Sequence, residues 1–225
     1  MLNQTRRTFS RNLFVAGPLA ATAGLQAQLP ESQPQLKPEL VKEYVGKSHA
    51  ALDAVKEMTR REPMLLRASW DQGAGDWETG LGAASHMGRR DIATFLIDSG
   101  ARIDVFAVFM LGELAPAKAL LAAFPGIHTT PGPHGIPLLS HTIVGRKDAF
   151  DAFQLLIAAK ADVNAAAWRG ITPLMAAVAY DQADMVRILL DHGANTAAKT
   201  PAGETALDFA RKKGNAAIIG MLSKG

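Results

Sequence analysis

Thr172-Pro173-Leu174-Met175-Ala176-Ala177 and Thr205-Ala206-Leu207-Asp208-Phe209-Ala210 align without a gap, and Thr205 follows Thr172 by 33 residues. Each hexapeptide reads as the start of a helix. A threonine ahead of apolar residues caps the free amides of a first turn, and Pro173 sits where its missing N–H costs nothing. The alanines let such a helix press closely on a neighbour. Between the hexapeptides runs Asp184-Met185-Val186-Arg187-Ile188-Leu189-Leu190, whose Val186, Leu189 and Leu190 recur at helical spacing and predict a second helix with one apolar face. Gly193 then supplies the left-handed residue that ends it. Such a helix pair leaves an apolar face uncovered until the next pair stacks on it, so the period predicts an array.

Working outward, more degenerate copies precede these two. Thr79-Gly80-Leu81-Gly82-Ala83-Ala84 opens one that runs through Asp91–Ile97 to Gly100-Ala101. The next starts near Phe106, only about 24 residues after its predecessor at matching alanines (Ala83, Ala107), so its loop is shortened. Another opens at Ile136-Pro137-Leu138-Leu139 and closes at Lys160-Ala161-Asp162-Val163-Asn164. A capping pair comes first, with one helix from Pro38 to His49 and a second beginning at Leu52. Four of the five residues 131–135 are glycine or proline, which makes 125–135 the longest loop and a place for function.

The Thr-Pro-Leu opening, the second helix, the Gly193-Ala194 turn and the period together resemble the ankyrin-repeat family. The resemblance implies an all-α solenoid of about six helix-turn-helix units with short hairpin loops, at approximately 38–71, 72–104, 105–126, 133–164, 165–197 and 198–225. It also implies that partners are read by the exposed side of the first helices and by the hairpin tips. Carried onto this chain, the face holds His86 and Met87, Met110 and Leu111, Ile143 and Val144, Ala179 and Tyr180, and Lys212 and Lys213. The tips hold Trp77, Glu78, Trp168 and Arg169. Of these, Trp168, Arg169, Tyr180, Met87, His86 and Trp77 are the candidate partner-binding residues, since aromatic and arginine side chains concentrate binding energy. Each tryptophan has a second reading, as cover for the adjacent hairpin of its own stack. Met110, Leu111, Ile143 and Val144 have one too, as residues buried beneath the 125–135 loop.

The N-terminus reads differently. Thr5-Arg6-Arg7-Thr8-Phe9-Ser10-Arg11 precedes an apolar stretch from Leu13 to about Leu25, with alanines at 20, 21, 23 and 27. Basic, apolar, then small is the order of an export signal. The stretch is too short to span a bilayer as a stable helix. Thr5, Arg6, Arg7, Phe9 and Arg11 resemble the twin-arginine motif, while Ser10 departs from it. That resemblance implies export of a folded protein to a bacterial periplasm, with residues 1–27 as signal peptide, residues 28–37 as a flexible leader and residues 38–225 as the repeat domain. Cleavage is expected after Ala23 or Ala27.

Composition sets limits. Residues 1–30 carry three of the 24 basic residues and no acid, which leaves 21 basic against 21 acidic residues in the remainder. Without a clustered basic patch a nucleic-acid partner is not expected. The chain has no cysteine, so thiolate metal sites and a cysteine nucleophile are excluded. No Gly-x-Ser-x-Gly elbow or phosphate-cradling loop is present. The expectation is therefore a non-catalytic, monomeric protein that binds a protein partner, with no cofactor and no membrane anchor once the signal is removed. The alternative is a metal or small-molecule site near residues 125–141, using His134, His141 and Asp148. The seven-residue interval between His134 and His141 is not the i, i+4 pairing that puts two imidazoles on one helical face. His141 stands where the neighbouring unit has Ala177, so its large polar ring needs a partner.

Overall fold

The computed structural model describes residues 35–223. The export-signal reading of residues 1–27, and most of the leader, lie outside them. Helices come in pairs. The first helices are α1 (Pro38–Ser48), α3 (Gly80–His86), α5 (Val105–Leu111), α7 (Leu138–Gly145), α9 (Pro173–Ala179) and α11 (Ala206–Lys213). Their partners are α2 (Leu52–Arg61), α4 (Arg90–Asp98), α6 (Leu114–Ala123), α8 (Phe150–Ala158), α10 (Ala183–Asp191) and α12 (Ala216–Leu222). Each first helix packs on its partner, and the first helices pack on one another in unbroken order from α1 to α11. The fold is thus mostly helical and repetitive. No helix among the described residues is long and apolar enough to cross a membrane.

Four of the six first helices, α3, α5, α9 and α11, start where the sequence supplies a side-chain cap. The side chains of Thr79, Asp104, Thr172 and Thr205 accept hydrogen bonds from the amides of Gly82, Ala107, Met175 and Asp208, and Asp208 returns the bond to complete a capping box. Three second helices end alike. Gly100, Lys160 and Gly193 take positive φ, and the following Ala101, Ala161 and Ala194 donate back to the carbonyls of Leu96, Leu156 and Leu189. Those alanines are buried, so the same turn that stops the helix also seals the core.

The core runs along the spine. Every residue of α7 is buried, as are Gly80–Ser85 of α3 and Pro173–Val178 of α9. One apolar cluster, with Tyr44, Ile92, Leu96 and Met110, serves the N-terminal helices, and another, with Phe109, Phe153, Leu174 and Leu189, serves the C-terminal ones. Helix α5 joins them, contributing Ala107 and Met110 to the first and Val108 and Phe109 to the second. Each such large side chain contributes about 1.5–3 kcal/mol by leaving water.

Two features depart from the all-helical expectation. Between α2 and α3 lies an antiparallel hairpin of β1 (Ser69–Asp71) and β2 (Trp77–Thr79), in which Ser69 pairs with Thr79 and Asp71 with Trp77. Its turn is built locally. The Asp71 carboxylate accepts from the amides of Gly73 and Gly75 at 2.9 and 3.1 Å, and Gly73, Ala74 and Gly75 all have positive φ. The 125–135 loop is also ordered, as two short 3-10 turns (Pro125–Thr129 and Pro133–Gly135) closed by a bridge between Pro131 and Pro137. Between α4 and α5 only residues 99–104 intervene.

Gly112 ends α5 at φ +72°, and a Cβ there would overlap the carbonyl oxygen of Asp148. Gly112→Ala is therefore expected to lower the unfolding free energy by about 3 kcal/mol in urea melts. Gly126→Ala, whose Cβ would meet nothing, is expected to stay within about 0.5 kcal/mol of wild type.

Candidate functional site

The hairpin alternates, with Trp77 outward and Glu78 inward. Thr79, the next residue, caps α3 and so fixes the strand end to the helix start. Glu78 is fully buried and reaches the last turn of α3, where its Oε1 stands 3.0 Å from Nδ1 of His86. Two further histidines arrive from distant parts of the chain. His49 follows the end of α1, and its Nε2 is 3.6 Å from Glu78 Oε2. His134, held at φ 59° in the 3-10 turn Pro133–Gly135, places its Nε2 3.6 Å from Glu78 Oε1. One ligand atom from each of these four residues lies within 4.8 Å of every other.

The outer sides of the rings are held as well. His49 Nδ1 donates to the carbonyl of Val45 at 3.0 Å. His134 Nδ1 donates to Asp76 Oδ2 at 2.8 Å, and the His134 amide donates to Asp76 Oδ1 at 2.9 Å. These bonds place a proton on Nδ1 of His49 and of His134 and turn the Nε2 atoms of both rings toward Glu78. Gln72 Nε2 donates to Glu78 Oε2 at 2.8 Å. Burial pushes the Glu78 carboxyl up, but the adjoining His86, the Gln72 amide and His49 together outweigh it and hold the carboxyl below the usual range. Glu78 Oε1 and His86 Nδ1 are close but not aligned, and neither has a hydrogen-bond partner.

The three histidines, but not the buried Glu78, line a cleft of about 390 Å³. Met87, Ile136, Val144, Trp168, Ile171 and Tyr180 form its apolar walls. Trp168 is 63 % exposed, with the Arg169 guanidinium 4.1 Å over its ring, and Met87 is 42 % exposed. Tyr180 is half-buried under Arg146, whose guanidinium carbon is 5.7 Å from the ring centre. Of the candidate residues, Trp168, Tyr180, Met87 and His86 therefore share one cleft. Arg169 overlies its rim, whereas exposed Trp77 sits on the hairpin's outer face and is not among the lining residues. The expected apolar face is narrower than the sequence implied. Met110 and Ile143 are wholly buried and Val144 nearly so, within the apolar clusters formed by stacked first helices.

His134 and His141, paired in the sequence reading, go separate ways. His134 joins His49 and His86. His141 is enclosed on α7 with its ring centre 4.7 Å from that of Phe106, and its Nδ1 is 3.2 Å from the carbonyl of Pro137. Asp148 faces Arg90, 3.3 Å from its Nε, and His128 donates to the carbonyl of Pro125. Sequence reasoning missed His49 and placed Glu78 at a hairpin tip, where the structure buries it. Nothing local marks His49.

Burial lowers the His141 pKa to about 3, against a weaker upward pull from the Pro137 carbonyl. The ring is therefore neutral when folded and takes a proton when unfolded at acid pH. Its folded pKa is depressed, so its contribution is full above pH 6.5 and is lost as pH falls toward 3. His141→Leu is expected to flatten this dependence, removing up to about 1.4 kcal/mol of stability loss per pH unit across that window. At pH 7 it is expected to cost less than about 1 kcal/mol, because it also removes a buried nitrogen, Nε2, without a partner. Chemical denaturation of both proteins between pH 4 and 7 checks this.

No curated protein matches the chain. Residues 141–225 match the family model described as ankyrin repeats (3 copies). This stretch covers His141, Trp168, Arg169 and Tyr180, while His49, Glu78, His86 and His134 precede it, so the chain carries ankyrin repeats in its C-terminal part and the histidine cluster N-terminal to them.

Proposed function

We propose that the protein is an exported, non-catalytic scaffold that holds a protein partner against the cleft side of its first helices. The six helix pairs are read as six repeat units, the last three of them the ankyrin repeats already matched. Ankyrin repeats generally mediate protein–protein interaction, which supports binding rather than catalysis. The observation that carries the reading is the grouping of exposed Trp168 and Met87 with Tyr180 around one apolar cleft. Large aromatic side chains left in water beside a concavity are where binding energy concentrates. Arg169 and Arg146, lying over the rings of Trp168 and Tyr180, keep those rings oriented and present positive charge at the rim.

Export rests on Thr5, Arg6, Arg7, Phe9 and Arg11 and on the apolar stretch after them. The mature protein is read as a periplasmic monomer that reaches its compartment already folded. A chain without cysteine suits that compartment, since it has no thiol to oxidise.

The test is crosslinking in cells followed by purification. Wild-type protein is expected to carry one dominant crosslinked species, and the Trp168→Ala/Tyr180→Ala double variant at least tenfold less of it. Equal recovery from both would remove the cleft from the binding surface. Mass spectrometry of the same samples is expected to find chains starting after Ala23 or Ala27, and an intact segment 1–25 would end the export reading.

A further inference from the structure

We propose that His49, Glu78, His86 and His134 bind one divalent first-row transition-metal ion, zinc fitting best, at the floor of the cleft. The cluster lies outside the matched repeats.

Distances come first. Two ligands of one tetrahedral zinc ion, each bonded at about 2.0–2.1 Å, stand about 3.3 Å apart. The separations from Glu78 are 3.0 Å to His86 Nδ1 and 3.6 Å to the Nε2 atoms of His49 and His134. A 3.6 Å gap is too long for a hydrogen bond, so a proton shared across it contributes little. The same gap is ordinary between two atoms bonded to one ion.

Orientation points the same way. The Nδ1 protons of His49 and His134 are committed to Val45 and Asp76, so the Nε2 atoms of both rings face a buried carboxylate. At 3.6 Å a ring proton reaches the carboxylate only weakly, whereas a cation between the two atoms bonds both. Glu78 Oε1 and His86 Nδ1 are buried without aligned partners, which is what two such atoms show when their natural partner is an ion.

The outer contacts complete the pattern. A ligating imidazole usually donates its other N–H to a carboxylate or a backbone carbonyl, which fixes its tautomer and raises its basicity. His134 has the first arrangement and His49 the second. Three imidazoles and one carboxylate suit zinc and its neighbours and do not suit calcium or magnesium, which take oxygen ligands. The side chains of His49 and His134 are 27 % and 22 % exposed, so an ion reaches the site through the cleft.

The test uses full-length protein without a polyhistidine tag, stripped with EDTA and dialysed. Calorimetric titration with zinc chloride is expected to give one site per chain, and calcium or magnesium chloride none. His134→Gln and His49→Gln, both at partly exposed positions, are each expected to weaken zinc binding at least tenfold while keeping the wild-type circular dichroism spectrum. Asp76→Asn is expected to weaken it about tenfold by releasing the His134 ring. His128→Gln and His192→Gln, outside the cluster, are expected to leave it unchanged. Zinc should raise the melting temperature of wild type and not of His134→Gln. No stoichiometric zinc binding, or binding that survives both His134→Gln and His49→Gln in folded protein, would overturn the proposal and leave the cluster held together by protons alone.

Discussion

No helix pair among the described residues hides its own apolar face, and the structure depends on stacking first helix against first helix. That stacking sets the residue types. Ala83, Ala84, Ala107, Ala176, Ala177, Ala206 and Ala210 are all buried along the spine, where a larger side chain would push neighbouring helices apart. Gly145 leaves no room for a Cβ against the Met110 carbonyl, and Gly88 leaves none against that of Val144. Backbone touching backbone leaves no slack, so the spacing of the helices also fixes where each connecting loop emerges.

The histidine cluster follows from one irregularity in that spacing. Residues 99–104 make a short connection between α4 and α5, where the hairpin before α3 and the loop before α7 are both long. The long elements meet across the gap. Pro133 packs beside Gly82, and Asp76 of the hairpin holds both the amide and the ring of His134. A full-length connection between them would keep them apart. The shortened unit was visible in the sequence as the 24-residue interval between Ala83 and Ala107. Its consequence was not, because an interval says how long a loop is and not what fills the space it vacates.

Legibility elsewhere divides in the same way. Period, caps and turns are local, and the pairing of helices around Thr172 and Thr205 could be read from residues close in sequence. The hairpin from Ser69 to Thr79 escaped that reading, because three-residue strands carry too little alternation to stand out. Proximity in sequence also misled. His134 and His141 are near neighbours in the chain, yet α7 turns His141 into the core against Phe106 while the preceding 3-10 turn carries His134 outward to residues 49, 78 and 86. Convergence of residues so far apart is a property of the stack, and only the stack reveals it.

Glu78 makes the cluster more than a decoration on the repeats. A carboxylate removed from water costs several kcal/mol unless its surroundings return the charge. Here they do so from four separate places: Gln72 beside the hairpin turn, His86 at the end of α3, His49 after α1 and His134 from the loop before α7. The charge on Glu78 and the relative placement of those elements therefore belong to one equilibrium. Whatever cation satisfies the carboxylate also pins α1, the hairpin, α3 and the long loop to one another. His49, His86 and His134 also line the cleft whose walls include Trp168 and Tyr180. A molecule seated between those aromatic rings rests on the cluster, and the shape it meets is the shape the cluster holds.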